Sequence, residues 1–237
     1  MLIGTRVLYP EEVEYWDADI LQISIYRDMN GGLDFMRQCA RACKDAGIRY
    51  VIHPVKYSLL QKDMFEELME MAGLADLALI LHDEKSPDGG RLGGEAEDIF
   101  RKSLGMLQEL TPVSLENSTD TGDIHWFWDS FADSITLDIG HVESSGLNSV
   151  EFVKALDAAS IQKISFVHIH RNSVLRGGIT DHWPLTPDCR EVKALRELVR
   201  IKPDVSVILE LNEIEEIVES LDILRTLRQE LVNTKSS

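Results

Sequence analysis

Ser134–His141 reads SITLDIGH: an apolar run suited to a buried strand, then a carboxylate, then a histidine three positions later. The same design recurs outward from it. Short runs rich in Val, Ile and Leu finish on a metal-capable side chain in YVIHP at 50–54, LALILHDE at 77–84, VSLEN at 113–117, SFVHIH at 165–170 and VILELN at 207–212. With two further apolar runs near the start, the pattern predicts strands at Leu2–Leu8, Ile20–Tyr26, Arg49–Pro54, Leu77–His82, Pro112–Asn117, Ser134–Ile139, Ile164–His170 and Val205–Leu211. Near-continuous hydrophobicity is the mark of parallel strands covered on both faces.

Helical patterns fill the intervals. Leu33–Ala46 and Glu191–Ile201 carry apolar residues at three and four spacing, and Leu147–Ala159 opens with Asn148 and Glu151 at capping-box spacing. Ile214, Ile217, Val218, Leu221 and Leu224 form a stripe on the last helix. Eight alternating units predict an α/β fold, a (β/α)8 TIM barrel spanning 1–237 as one domain. An open, doubly wound sheet is the alternative, but no dinucleotide-type glycine fingerprint follows any strand. The segment DEKSPDGGRLGG at Asp83–Gly94 reads as an active-site loop or lid, since it follows the fourth strand.

Composition narrows the function. The 237 residues carry a net charge of −17, which disfavours a general nucleic-acid binder and suits a cation-binding mouth. Three cysteines give no disulfide framework; Cys39 and Cys43, four apart on one helix face, read as buried small residues. MLIGTRVLYPEEVEYW at 1–16 lacks a basic segment followed by an apolar core, so no signal peptide, no membrane association and a cytoplasmic protein are expected.

Position carries the functional argument. His53, His82, Glu116, Asp138, His168 and Glu210 end six consecutive strands, with His141 just beyond the sixth. In a closed barrel such ends meet at the face where barrel active sites are built. Each residue singly reads as a cap or a solvated charge. Several carboxylates buried together raise one another's pKa, and a divalent cation relieves that conflict. Imidazoles and carboxylates without thiolates suit zinc or manganese, then cobalt or iron, and magnesium less well.

These segments resemble the superfamily of xylose-isomerase-like barrels that includes sugar phosphate isomerase/epimerases and endonuclease IV. LENSTDTG at 115–122 is similar to the family's E-N-T segment, LDIGHVESSG at 137–146 to its D-x-x-H segment, and VHIHRNS at 167–173 to its H-x-N/H-D segment. The resemblance implies a metal-dependent enzyme with one to three divalent ions. In the isomerases and epimerases, positions matching Glu116, Asp138, His168 and Glu210 hold one principal metal, and the two glutamates move a proton next to a carbonyl. The implied partner is then a small sugar or sugar phosphate. In the endonuclease IV type, further ligands matching His53, His82, His141 and His182 build a multi-zinc phosphodiesterase acting on abasic DNA. That pattern has Asp where this chain has Thr180, which departs from a complete third metal site. A non-catalytic metal- or ligand-binding barrel is the third reading, and the oligomeric state stays open.

Substrate contacts are expected from His141, Asn117, Arg171 and Trp183. Lys56, Arg91 and Arg176 are further loop cations on the same presumed face. Among Trp126, Phe127 and Trp128, packing of a helix is the plainer role for two. His125 and His170 stay unassigned, with His170 a candidate to support a ligand from behind or to touch substrate.

Overall fold

A computed structural model describes residues 1–27, 32–119, 123–175 and 178–235 of the chain. Its strands are β1 (Leu2–Val7), β2 (Ile20–Tyr26), β3 (Arg49–Val55), β4 (Leu79–His82), β5 (Val113–Glu116), β6 (Ser134–Asp138), β7 (Ile164–Ile169), β8 (Arg171–Leu175), β9 (Gly178–Trp183) and β10 (Ser206–Leu209). Eight of them form a closed barrel in the order β1-β10-β7-β6-β5-β4-β3-β2. This is the (β/α)8 architecture that the eight alternating units predict. The helices are α1 (Gly32–Ala46), α2 (Lys62–Leu74), α3 (Gly94–Gln108), α4 (Ile124–Phe131), α5 (Ile139–Ser144), α6 (Ser149–Ala155), α7 (Ala158–Lys163), α8 (Arg190–Ile201) and α9 (Ile214–Lys235). Among the described residues no helix is long and apolar enough to cross a membrane.

The chain divides into two compact units. One comprises Val7–Glu116 and Asp123–Ser134, and so holds β2 to β5. Its α1 buries Met36, Cys39, Ala40 and Cys43, a face at three and four spacing. Its α4 buries Ile124, Phe127, Trp128 and Phe131. Phe127 packs edge-on to Phe100 at 5.6 Å between ring centroids, and Trp128 donates its Nε1–H to the Leu115 carbonyl at 3.1 Å. The second contact pins the end of β5 one residue before Glu116. Trp126 is half-buried and lies under the Arg91 guanidinium at 5.0 Å. Arg91 also pairs with Asp123 at 2.6 Å. The segment from Asp83 to Gly93 has no helix or strand; a turn closes it where Ser86 N–H meets the Gly90 carbonyl at 3.0 Å.

The other unit comprises Met1–Arg6, Asn117–Gly122 and Ile135–Ser237. Three sequence expectations change here. The helix expected over Leu147–Ala159 is two helices, α6 and α7. Asn148 caps α6 as expected, accepting from Val150 N–H and Glu151 N–H. Asp157 then caps α7, accepting from Ser160 N–H at 2.8 Å, because a short polar side chain competes with the helical backbone for its hydrogen bonds. On α9, Ile217, Leu221, Leu224 and Leu227 are buried, while Ile214 and Val218 are exposed. Val218 lies one step round the helix from that face, and Ile214 is the first residue of the first turn. Finally, β8 and β9 pair as an antiparallel hairpin where a plain loop is expected. Arg176 lies outside the described residues.

Cys39 and Cys43 are fully buried, and burial pushes each thiol up to about 12, with the neighbouring cysteine adding to the effect at Cys39. Both are therefore inert thiols at neutral pH. In a thiol titration with an aromatic disulfide at pH 8, at most the half-buried Cys189 should react in the native protein, and all three after denaturation. Rapid reaction of three native thiols would contradict the packing of α1.

Candidate metal centre

In the unit holding β2 to β5, parallel register sets His82 beside Glu116. His53, on β3, stands 3.1 Å from the Ile80 carbonyl through its Nδ1. A carbonyl oxygen can only accept, so Nδ1 carries the proton and a neutral ring keeps its lone pair on Nε2. That nitrogen lies 3.4 Å from Glu116 Oε2, and His82 Nε2 lies 3.7 Å from the same oxygen. Glu116 is fully buried, His53 buried and His82 half-buried. A lone pair and a carboxylate oxygen repel at that separation unless a proton or cation sits between them. Ligands of a four-coordinate zinc with bonds of about 2.0–2.1 Å stand roughly 3.3 Å from one another. The trio His53, His82 and Glu116 thus has the donor types and spacing a metal ion needs.

The other unit builds a larger cluster. Register sets Asp138 beside His168, and His168 beside Ile208 of β10, two residues before Glu210. Glu210 extends the ladder by donating its N–H to the Ile169 carbonyl at 3.2 Å. His168 Nδ1 lies 3.7 Å from Glu210 Oε1, and His182 Nε2 lies 3.6 Å from Oε2. Asp138 caps α5, its Oδ1 accepting from His141 N–H at 2.7 Å. His141 Nδ1 sits 2.8 Å from the Asn117 carbonyl, which again leaves the lone pair on Nε2. Asp138 and His168 are fully buried, with Glu210 and His141 nearly so.

Electrostatics follow from that burial. Desolvation pushes the Asp138 carboxyl up, but His141 and His170 together outweigh it and hold the group well below the usual carboxylate range; the charge on Glu210 works against them. Among the described residues, Asp138 Oδ2 makes no hydrogen bond, although it is buried. An unsatisfied buried carboxylate oxygen beside imidazole nitrogens is what a cation site looks like without its cation. The groups Asp138–His141–His170 and His170–His182–Glu210 each have ligand atoms close enough to share an ion.

The expected substrate contacts fall out differently. Asn117 brackets Asp138: its Oδ1 accepts from the Asp138 N–H at 2.8 Å, and its Nδ2 donates to the Asp138 carbonyl at 2.9 Å. Both ends of its amide are thereby committed to the backbone. Arg171 and Trp183 face one another across the β8–β9 hairpin, and both are half-buried. Thr180 lies on β9 opposite Ser173. Lys56 is exposed, with a φ of 64° directly after β3. His182 also has a positive φ, 57°, a region that non-glycine residues visit at a cost. His170, unassigned from the sequence together with His125 but a candidate to support a ligand, falls within this site. It is fully buried at the centre of the second cluster. Its signal was the alternation in VHIH, which puts His168 and His170 on one side of an extended chain.

The chain is similar to three solved sugar-enzyme barrels. A D-tagatose 3-epimerase-like protein matches with a TM-score of 0.70 and 19% identity over 100% of both chains. A D-psicose 3-epimerase, solved in the presence of D-fructose, matches at 0.60 and 13% over 98% of this chain and 99% of that one. A sugar phosphate isomerase/epimerase from Parabacteroides distasonis ATCC 8503 matches at 0.54 and 12% over 94% and 90%. At 19% identity and below, the likeness is one of fold, an eight-stranded α/β barrel. No family model matches the chain, and no curated protein sequence matches it.

Removing the Asn117 bracket leaves two buried backbone groups of Asp138 short of a partner, each costing about 1–3 kcal/mol. Asn117→Ala should lower unfolding stability in urea by at least about 2 kcal/mol. A loss below about 0.5 kcal/mol would show that Asp138 is held by something else.

Proposed function

We propose that the protein is a metal-dependent sugar or sugar-phosphate isomerase/epimerase, with 1–237 acting as one catalytic domain. The observation that carries this reading is the buried set Asp138, His168 and Glu210, placed by strand register at the ends of β6, β7 and β10, with half-buried His182 of β9 beside Glu210: carboxylates and imidazoles without thiolate. Such a donor set fits zinc or manganese, with cobalt or magnesium as substitutes. The epimerase and isomerase names of the similar solved barrels support it by analogy of fold.

By the family resemblance, Asp138, His168 and Glu210 would hold one divalent ion with Glu116. A bound ion supplies Lewis acidity toward the substrate's carbonyl and hydroxyl oxygens. The chain's own residues do the proton transfer. One of Glu116 and Glu210 takes the proton from the carbon next to the carbonyl, and the electron pair left behind passes into that carbonyl. The other returns a proton, and the face to which it is returned decides the stereochemistry. Asn117 acts here as a bracket for Asp138, while Arg171 and Trp183 keep the role of substrate contacts.

One observation favours a second reading. His53, His82 and Glu116 form a complete trio that a one-ion isomerase does not need. The endonuclease IV-like alternative, a multi-zinc phosphodiesterase acting on abasic DNA, uses such ligands. The net charge of −17 weighs against a DNA partner.

Elemental analysis of protein purified without chelator separates the two. About one ion per chain, with epimerisation of a ketose or its phosphate, supports the isomerase. Two or three zinc ions with cleavage of abasic-site DNA would replace it. In the isomerase, Glu210→Gln should lower kcat by roughly 10²- to 10⁴-fold with the thermal midpoint nearly unchanged. Wild-type turnover in that variant would remove Glu210 from the chemistry.

A further inference from the structure

His170, fully buried in the second cluster, has a neighbour at each ring nitrogen. Its Nδ1 accepts the His182 backbone N–H at 3.0 Å, so that nitrogen holds a lone pair and not a proton. The neutral ring must then carry its proton on Nε2. That nitrogen faces Asp138 Oδ1 at 3.5 Å, an ion-pair separation rather than a hydrogen bond, and has no hydrogen-bond partner among the described residues. A protonated nitrogen cannot bind a metal ion. The ring also stacks on His182, with planes 11° apart and centroids at 4.3 Å. An imidazole binds an ion in its own ring plane, and two near-parallel planes at that spacing share no such point. His170 and His182 as placed therefore cannot grip one ion together.

The ring is also held from the far side. A Cβ on Gly140 would come within 2.2 Å of His170 Cε1, 2.4 Å of Nε2 and 2.5 Å of Nδ1. The Gly140 carbonyl is meanwhile fixed by Asn172, whose Nδ2 donates to it at 2.5 Å. Neither the backbone nor the fully buried ring has room to yield. Glycine at 140 is thus a condition for His170 to lie flat where it does.

We infer that His170 is a positioning residue and not a ligand: one ring sets its Nε2–H toward Asp138 and accepts the His182 backbone N–H at Nδ1, and Gly140 leaves the space for it. The inference rests on the metal-binding reading of this cluster. It also bears on Thr180. Where the family pattern has a carboxylate two residues before His182, this chain holds the His182 backbone by a hydrogen bond from inside the cluster. The positive φ of His182 is the conformation in which that bond is made.

The two contacts can be removed one at a time. His170→Gln keeps a donor near the Nε2 position, His170→Asn keeps an acceptor near the Nδ1 position, and His170→Ala keeps neither. Zn²⁺ affinity and ion count per chain would be measured on metal-stripped protein by competition with a chromophoric chelator, with thermal melts alongside. H170Q and H170N, each keeping one contact, should bind more weakly than wild type and more tightly than H170A, whose affinity should fall about 10- to 100-fold, all at an unchanged ion count. G140A should weaken binding like H170A although every ligand is intact. If H170A does not fold, the ion count of H170Q and H170N makes the same decision. An ion count lower by one in H170Q or H170N would make His170 a ligand and overturn the inference. Equal affinity in all variants would overturn it too, leaving His170 a packing residue. A wild type that binds no ion is a different result, since it removes the metal reading itself and this inference with it.

Discussion

Burying a carboxylate costs several kcal/mol unless opposite charge or hydrogen bonds compensate it, and this chain buries Glu116, Asp138 and Glu210. Much of the surrounding structure answers that constraint. Glu116 has His53 and His82 within 3.7 Å, and Glu210 has His168 and His182 at similar range. Asp138 has a helix N-terminus, two imidazoles and an asparagine committed to its backbone. Six of the chain's seven histidines are spent on these three acids. Only the exposed His125 stands apart.

Backbone carbonyls decide what those histidines can do. Ile80 O fixes the tautomer of His53, and Asn117 O fixes that of His141. Each leaves the lone pair on Nε2, the state a ligand requires, and at His53 that nitrogen faces Glu116. At His170 the arrangement is reversed, because a backbone N–H takes the lone pair and leaves a proton facing Asp138. The same side chain in the same cluster thus serves two different purposes according to which backbone group it meets.

The elements that carry the acids are anchored by side-chain hydrogen bonds from neighbouring elements. Trp128 ties α4 to the carbonyl of Leu115, immediately before Glu116. Asn172 ties the start of the β8–β9 hairpin to α5 through the Gly140 carbonyl and Ser144 Oγ. Rigid elements hold a ligand set more accurately than loops do, and here nearly every acid and imidazole sits on a strand end or the first turn of a helix. His182 is the exception in backbone conformation, and it is the one held by a cluster histidine.

The sequence by itself determined the eight barrel strands, because parallel strands covered on both faces must be almost uninterrupted runs of Val, Ile and Leu. It also determined which residues end them, since His53, His82, Glu116, Asp138, His168 and Glu210 each break such a run. Asn148 as a helix cap was equally legible, being a local effect of one side chain on the next three N–H groups. Tertiary structure alone decided the rest. The split at Asp157, the exposure of Val218, and the β8–β9 hairpin depend on what a segment packs against or pairs with. The commitment of Asn117 to Asp138, 21 positions away, and the tautomers of His53, His141 and His170 depend on carbonyls and N–H groups brought in from other elements. A hydrogen bond between distant residues leaves no period or spacing in a chain. Those pairings are therefore read only once the barrel has brought them within 3 Å or so of each other.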